Sequence, residues 1–130
     1  MPRKPRSLPT DSELRILEVL WERGASTVRE VHEILNRVRP TGPTTVLKHM
    51  QIMAEKGSLI VDRSTRPQIY RAAEAQKHTQ QNLVGDLLER AFSGAPGPLV
   101  VQALSTKRAT TEELRQIREL LDRLEKEDRE

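Results

Sequence analysis

Cysteine is absent from the 130-residue chain, which excludes disulfides, thiol nucleophiles and thiolate metal sites. Aromatic residues are almost absent as well, with Trp21, Tyr70 and Phe92 the only three. Trp21 falls on a core stripe, so the first half has little with which to stack on unpaired RNA bases. No run of about 18 apolar residues occurs, and the stretch "MPRKPRSLPT" lacks the apolar centre of a signal peptide; the expected location is the cytoplasm. There is no glycine-rich phosphate loop, no G-x-S-x-G and no H-E-x-x-H. The histidines His32, His49 and His78 stand in no metal-binding motif, and Glu74 with His78, four residues apart, reads as a solvated pair. Neither catalysis, nor a cofactor, nor a metal site is expected. Hydrophobic residues make up 35% and charged residues 32%, a lean core that calls for apolar surface buried against a second chain.

Charge is present in quantity and unevenly placed. Lys and Arg number 22 against 19 Asp and Glu, a net charge of +3. Residues 1–72 hold 13 of the cations against 8 acids, a balance of +5, and residues 73–130 hold 9 against 11, a balance of −2. A polyanion, if one is bound, meets the first half.

Residues 1–9, basic and proline-bearing, read as a flexible arm, with Arg3, Lys4 and Arg6 adding salt-dependent attraction. "TDSELRILEVLWERG" predicts a first helix, with Thr10 and Glu13 at capping-box spacing, Leu14, Leu17 and Trp21 on a stripe beside Ile16 and Leu20, and Gly24 as its stop. "TVREVHEILNRV" repeats the device with Thr27 and Glu30 and buries Val28, Val31, Ile34 and Leu35. After "RPTGP", the stretch "TGPTTVLKHMQIMAEKGSL" predicts a third helix. Pro43 suits its first turn and Gly57 its left-handed cap. Val46, Leu47, Met50, Met53 and Ala54 are expected on the buried face, with Thr44, Thr45, Lys48, Gln51 and Glu55 outside. The pattern then turns to period two, and two short strands around "DRSTRP" predict a hairpin. Residues 73–92 read as helical, "SGAPGP" as a breaker, and "LVVQAL" as one or two helical turns. A last helix begins at a Thr110 or Thr111 cap and carries Leu114, Ile117, Leu121 and Leu124 on one seam.

Three short helices followed by a basic hairpin constitute a winged helix-turn-helix arrangement. The fold class expected is mainly α with a small β-hairpin wing: a DNA-binding domain over 10–72, then a helical dimerisation region over 73–130. On the third helix, Thr44, Thr45, Lys48 and His49 are the candidates to contact the major groove of double-stranded DNA. Arg63 and Arg66 at the hairpin tip, and Arg71 on its second strand, are candidates for the DNA backbone. Leu83, Leu87, Leu99, Leu114, Ile117, Leu121 and Leu124 are the candidate dimerisation residues, since a leucine seam needs a partner surface. The competing reading is a winged helix used for protein–protein contact without specific DNA binding, with Leu47 and Ile52 as apolar contacts.

"LPTDSELRILEVLWERGASTVREVHEILN", "PTTVLKHMQIMAEKGSL" and "QIYRA" together resemble the penicillinase-repressor family of bacterial regulators (BlaI/MecI/CopY), from about residue 8 to 122. The resemblance implies a homodimeric winged-helix repressor, a palindromic operator and, in many members, control by a membrane-bound sensor protease. It places Thr44, Thr45 and Lys48 on the DNA-facing side of the recognition helix. Ile52 stands where relatives often carry arginine, His49 where an apolar residue is commoner, and Ser58 where Leu or Phe is. Family position also points to Gln102-Ala103 as the cleavage pair, where the β-lactam-responsive members have Asn-Phe. The copper-responsive branch uses a cysteine cluster that this chain lacks.

Overall fold

The computed structural model describes residues 8–129. The arm expected over residues 1–9, with Arg3, Lys4 and Arg6, lies outside the described residues except for Leu8 and Pro9. By internal packing the chain forms two units divided after Gly85.

In the first unit, α1 spans Asp11–Arg23 and α2 spans Val28–Val38. Both start on reciprocal caps. The Glu13 N–H donates to Thr10 Oγ1 at 3.2 Å while Glu13 Oε1 accepts from the Thr10 N–H at 2.9 Å, and Thr27 and Glu30 repeat the exchange at 3.2 and 2.9 Å. Each box satisfies two backbone donors that a helix start otherwise strands. Glu30 also pairs with Arg23 in the last turn of α1, which links the end of α1 to the start of α2.

The link from α2 to α3 (Pro43–Lys56) is held by side chains. The Thr41 N–H donates to Asn36 Oδ1 at 2.9 Å, and His32 Nε2 lies 2.7 Å from the Thr41 carbonyl. A carbonyl oxygen only accepts, so Nε2 is the nitrogen that carries the proton. At the far end, Gly57 adopts φ 86°, and its N–H and that of Ser58 reach back to the carbonyls of Ala54 and Met53. A residue with a Cβ is strained in that left-handed conformation.

Strands β1 (Leu59–Asp62) and β2 (Ile69–Ala72) pair antiparallel, with Leu59 opposite Ala72 and Val61 opposite Tyr70. Leu59 and Tyr70 face the core, whereas Ile60, Asp62 and Arg71 face out, as period two requires. Ser26 adds a single bridge to Tyr70 through two backbone bonds of 2.9 and 2.8 Å. The core joins Ile16, Leu17, Val19 and Leu20 of α1 to Val31, to Val46, Met50 and Met53, and to Leu59 and Tyr70. Leu14 and Trp21, expected at the centre of α1's stripe, are only half-buried, and Val19 takes the inside place. Trp21 sits at the rim because its indole N–H needs an acceptor, which the Glu74 carbonyl supplies at 2.9 Å.

Helix α4 spans Gln76–Phe92, running across the division between the units. It starts three residues later than the expected 73, and the Ala73 N–H instead continues the hairpin pairing by donating to the Ser58 carbonyl. The Glu74–His78 pair is a direct contact of 3.2 Å between a residue just before α4 and the helix's first turn.

In the second unit, α5 covers Pro96–Thr106, longer than the one or two turns expected. Pro96 stands in its first turn, where a missing N–H costs nothing. The proline-rich breaker is therefore the helix start. Helix α6 spans Thr111–Asp128 and is capped by Thr110, which forms a box with Glu113. Arg115 pairs with both Glu112 and Glu119 on its outer surface. No residue of α5 or α6 is buried. Among the described residues, no helix is long and apolar enough to cross a membrane.

Candidate nucleic-acid interface

Helix α3 is fixed by one face. Val46, Met50 and Met53 are 1%, 0% and 0% exposed, so the helix can neither roll nor slide without opening the core. Thr44, Thr45, Lys48, Gln51 and Glu55 are all exposed on the remaining surface. Leu47 was expected on the buried face, but it is 39% exposed. Successive helical residues differ by about 100° in direction, and with Val46 pointing straight into the core its neighbour is carried to the flank.

The end of α3 is tied to the start of α1. Lys56 Nζ lies 3.1 Å from Glu13 Oε2, while the other oxygen of Glu13 serves the α1 cap. Burial disfavours the Glu13 carboxylate, but the Thr10 hydrogen bonds and the Lys56 ammonium outweigh it and hold its carboxyl below the ordinary value of 4.5. A depressed acid contributes stability that is present above its unfolded pKa and is lost as pH falls through the folded one. The wild-type chain is therefore expected to lose stability steadily below about pH 4.5. Glu13→Gln should be less stable at pH 7 and show a shallower acid slope in urea melts at pH 7 and pH 4. Parallel slopes for the two proteins would refute that role for Glu13.

The hairpin tip is ordered by Asp62. Its Oδ1 accepts from Ser64 Oγ at 2.6 Å and from the Ser64 N–H at 2.9 Å, which also keeps its carboxyl below its usual range. This Asx-type turn holds the loop that presents Arg63 and Arg66 to solvent, and Arg71 is exposed on β2. Three guanidiniums thus stand on the element that follows α3 after only Gly57 and Ser58.

Of the residues singled out from sequence, Thr44, Thr45 and Lys48 share the exposed part of α3. His49 is half-buried and turned aside, lining with Thr45 a groove of about 740 Å³ against α1 and the end of α2. Leu83, Leu99, Leu114 and Ile117 are half-buried in the single chain, whereas Leu87, Leu121 and Leu124 are 49%, 50% and 47% exposed. Gln102 and Ala103 are exposed inside α5. The Glu13–Lys56 tie had no local signal, because 43 residues separate its partners. The exposure of Leu47 was open to a closer reading of the helical period.

Three helices, the third carrying an exposed Thr/Lys face, followed by an antiparallel hairpin with a basic tip, define a winged helix-turn-helix protein. The described fold, mostly helical with one two-stranded hairpin, matches the architecture expected from sequence. Residues 9–123 match the profile of the penicillinase repressor family, and the chain belongs to that family. Its members are DNA-binding transcriptional repressors, regulators rather than enzymes. Comparison with individual curated proteins gives no match.

Proposed function

We propose that this chain is a cytoplasmic repressor that binds a palindromic operator as a homodimer, each copy laying α3 in a major groove and its hairpin on the adjacent backbone. The observation that carries the reading is the exposed set Thr44, Thr45 and Lys48 on a helix locked into the core and followed directly by a basic hairpin. Lys48 reaches a guanine edge or phosphate, the threonines reach base edges or phosphates, and His49 borders them. Arg63, Arg66 and Arg71 supply backbone contacts. The DNA-binding part is residues 10–72 and the dimerisation part 73–130. Leu83, Leu87, Leu99, Leu114, Ile117, Leu121 and Leu124 form the interface; what supports this is that α5 and α6 bury none of their residues within one chain and that Leu87 of α4 is exposed. A membrane-bound sensor protease is the inducing partner that fits the family. Cleavage at Gln102-Ala103 would require α5 to open, since a protease binds its substrate extended.

A mobility-shift titration against the gene's own upstream DNA, at two salt concentrations and with random competitor, tests the reading. A discrete complex that survives competitor and weakens with salt is expected. A shift erased equally by any DNA would leave the winged helix as a protein-contact module. Within that assay, Lys48→Ala is expected to cost about 1–3 kcal/mol on the operator and relax its sequence preference. Arg66→Ala should weaken all sequences alike and reduce the salt slope by about 1. Equal losses on operator and random DNA for both variants would refute this division of roles.

A further inference from the structure

Leu47 is a large apolar side chain left 39% exposed on α3, although the core beside it is already closed by Val46, Met50 and Met53. It is the fifth residue of the helix, in the amino-terminal half that reaches base edges when such a helix enters a groove. Its exposed neighbours along the helix are Thr44, Lys48 and Gln51. Those residues and the arginines of the hairpin suit a polyanion rather than an apolar protein surface. Within the major groove the one apolar group offered by the bases is the C5-methyl of thymine.

We propose that Leu47 is a specificity-determining residue that reads thymine, packing its Cδ methyl groups against a thymine C5-methyl in each half-site next to the base or phosphate contacted by Lys48. The inference rests on the operator-binding reading and adds to it a definite base preference. Leu47 and Lys48 differ by about 100° around the helix and by about 1.5 Å along it, so both address the same one or two base pairs from different sides. Burying Leu47 there removes apolar surface from water on both partners, whereas cytosine carries only a C5–H at the corresponding position and offers no methyl to bury.

The test uses the full-length protein. Duplexes are selected from a random library, the enriched sequence is resynthesised with deoxyuridine replacing thymidine at one position at a time, and Kd is measured for each. Uracil keeps every hydrogen-bonding group of thymine and lacks only the methyl. At one thymine per half-site the swap is expected to weaken binding about fourfold, the worth of one buried methyl-sized group. Leu47→Ala, with folding checked by circular dichroism, should bind the thymine and uracil duplexes equally. Leu47→Met, which keeps an apolar side chain of similar volume and covers for an Ala variant that folds poorly, should retain the preference. Wild-type affinities that stay within measurement error at every uracil position would overturn the proposal while leaving operator binding intact. A methyl preference that persists undiminished in Leu47→Ala would do the same. Failure to enrich any sequence would overturn the operator-binding reading and this inference with it.

Discussion

In the proposed homodimer, Leu121→Glu is expected to separate the two copies and lower operator affinity by about 10²- to 10⁴-fold, the advantage that linking two binding units provides. In the single chain Leu121 is 50% exposed, with Leu120 and Leu124 at 45% and 47%, so the variant removes nothing from a core that one chain builds for itself. A carboxylate buried at a leucine seam lacks a partner and must be either desolvated or expelled. Sedimentation should then report a monomer at concentrations where the wild type is a dimer, and the mobility shift should move to far higher protein concentration with a reduced salt slope. The thermal transition of the first unit should survive, since residues 8–85 carry their own core. A variant that stays dimeric and binds normally would remove α6 from the interface.

Met50→Ala is the second large effect, and it acts through stability. Met50 is 0% exposed at the middle of α3, between Val46 and Met53. Truncating a buried methionine to alanine costs about 2–5 kcal/mol in lost transfer energy and residual cavity. A small domain has about 5–15 kcal/mol in all. Urea denaturation should show a midpoint lowered with little change in slope. DNA binding should follow the folded fraction, falling with temperature well before that of the wild type. Lys48→Ala provides the contrast, weak on DNA and normal in melting, because Lys48 is exposed.

Local devices were legible in the sequence. The Thr10–Glu13 and Thr27–Glu30 boxes each act over three residues and begin a helix where the spacing says they should, and of the two caps open for the last helix the structure uses Thr110, boxed with Glu113. The hairpin was legible because period two buries Leu59 and Tyr70 while leaving Ile60 and Arg71 outside. Non-local choices were not. Trp21 moved to the rim to meet a carbonyl 53 residues away, and the Ser26–Tyr70 bridge is a single pair with no pattern of its own. Proline misled at α5, since the residue that forbids a helix interior is welcome in its first turn. For the candidate interface, the period that buries Val46, Met50 and Met53 is also what exposes Thr44, Thr45 and Lys48. What those side chains touch depends on the partner, which periodicity does not encode.

The left-handed turn at Gly57 carries a consequence for how an operator is written. With only Gly57 and Ser58 between α3 and β1, and both backbone N–H groups already committed to the helix end, α3 and the hairpin share one inflexible joint. On the proposed operator-binding reading, each half-site is then a word of fixed length, read at a fixed offset from the phosphates that the hairpin would grip. Any latitude in the number of base pairs between two such words has to come from chain beyond β2. On that reading, operators of this chain should vary in spacer more readily than in the distance between a base contact and its neighbouring backbone contact.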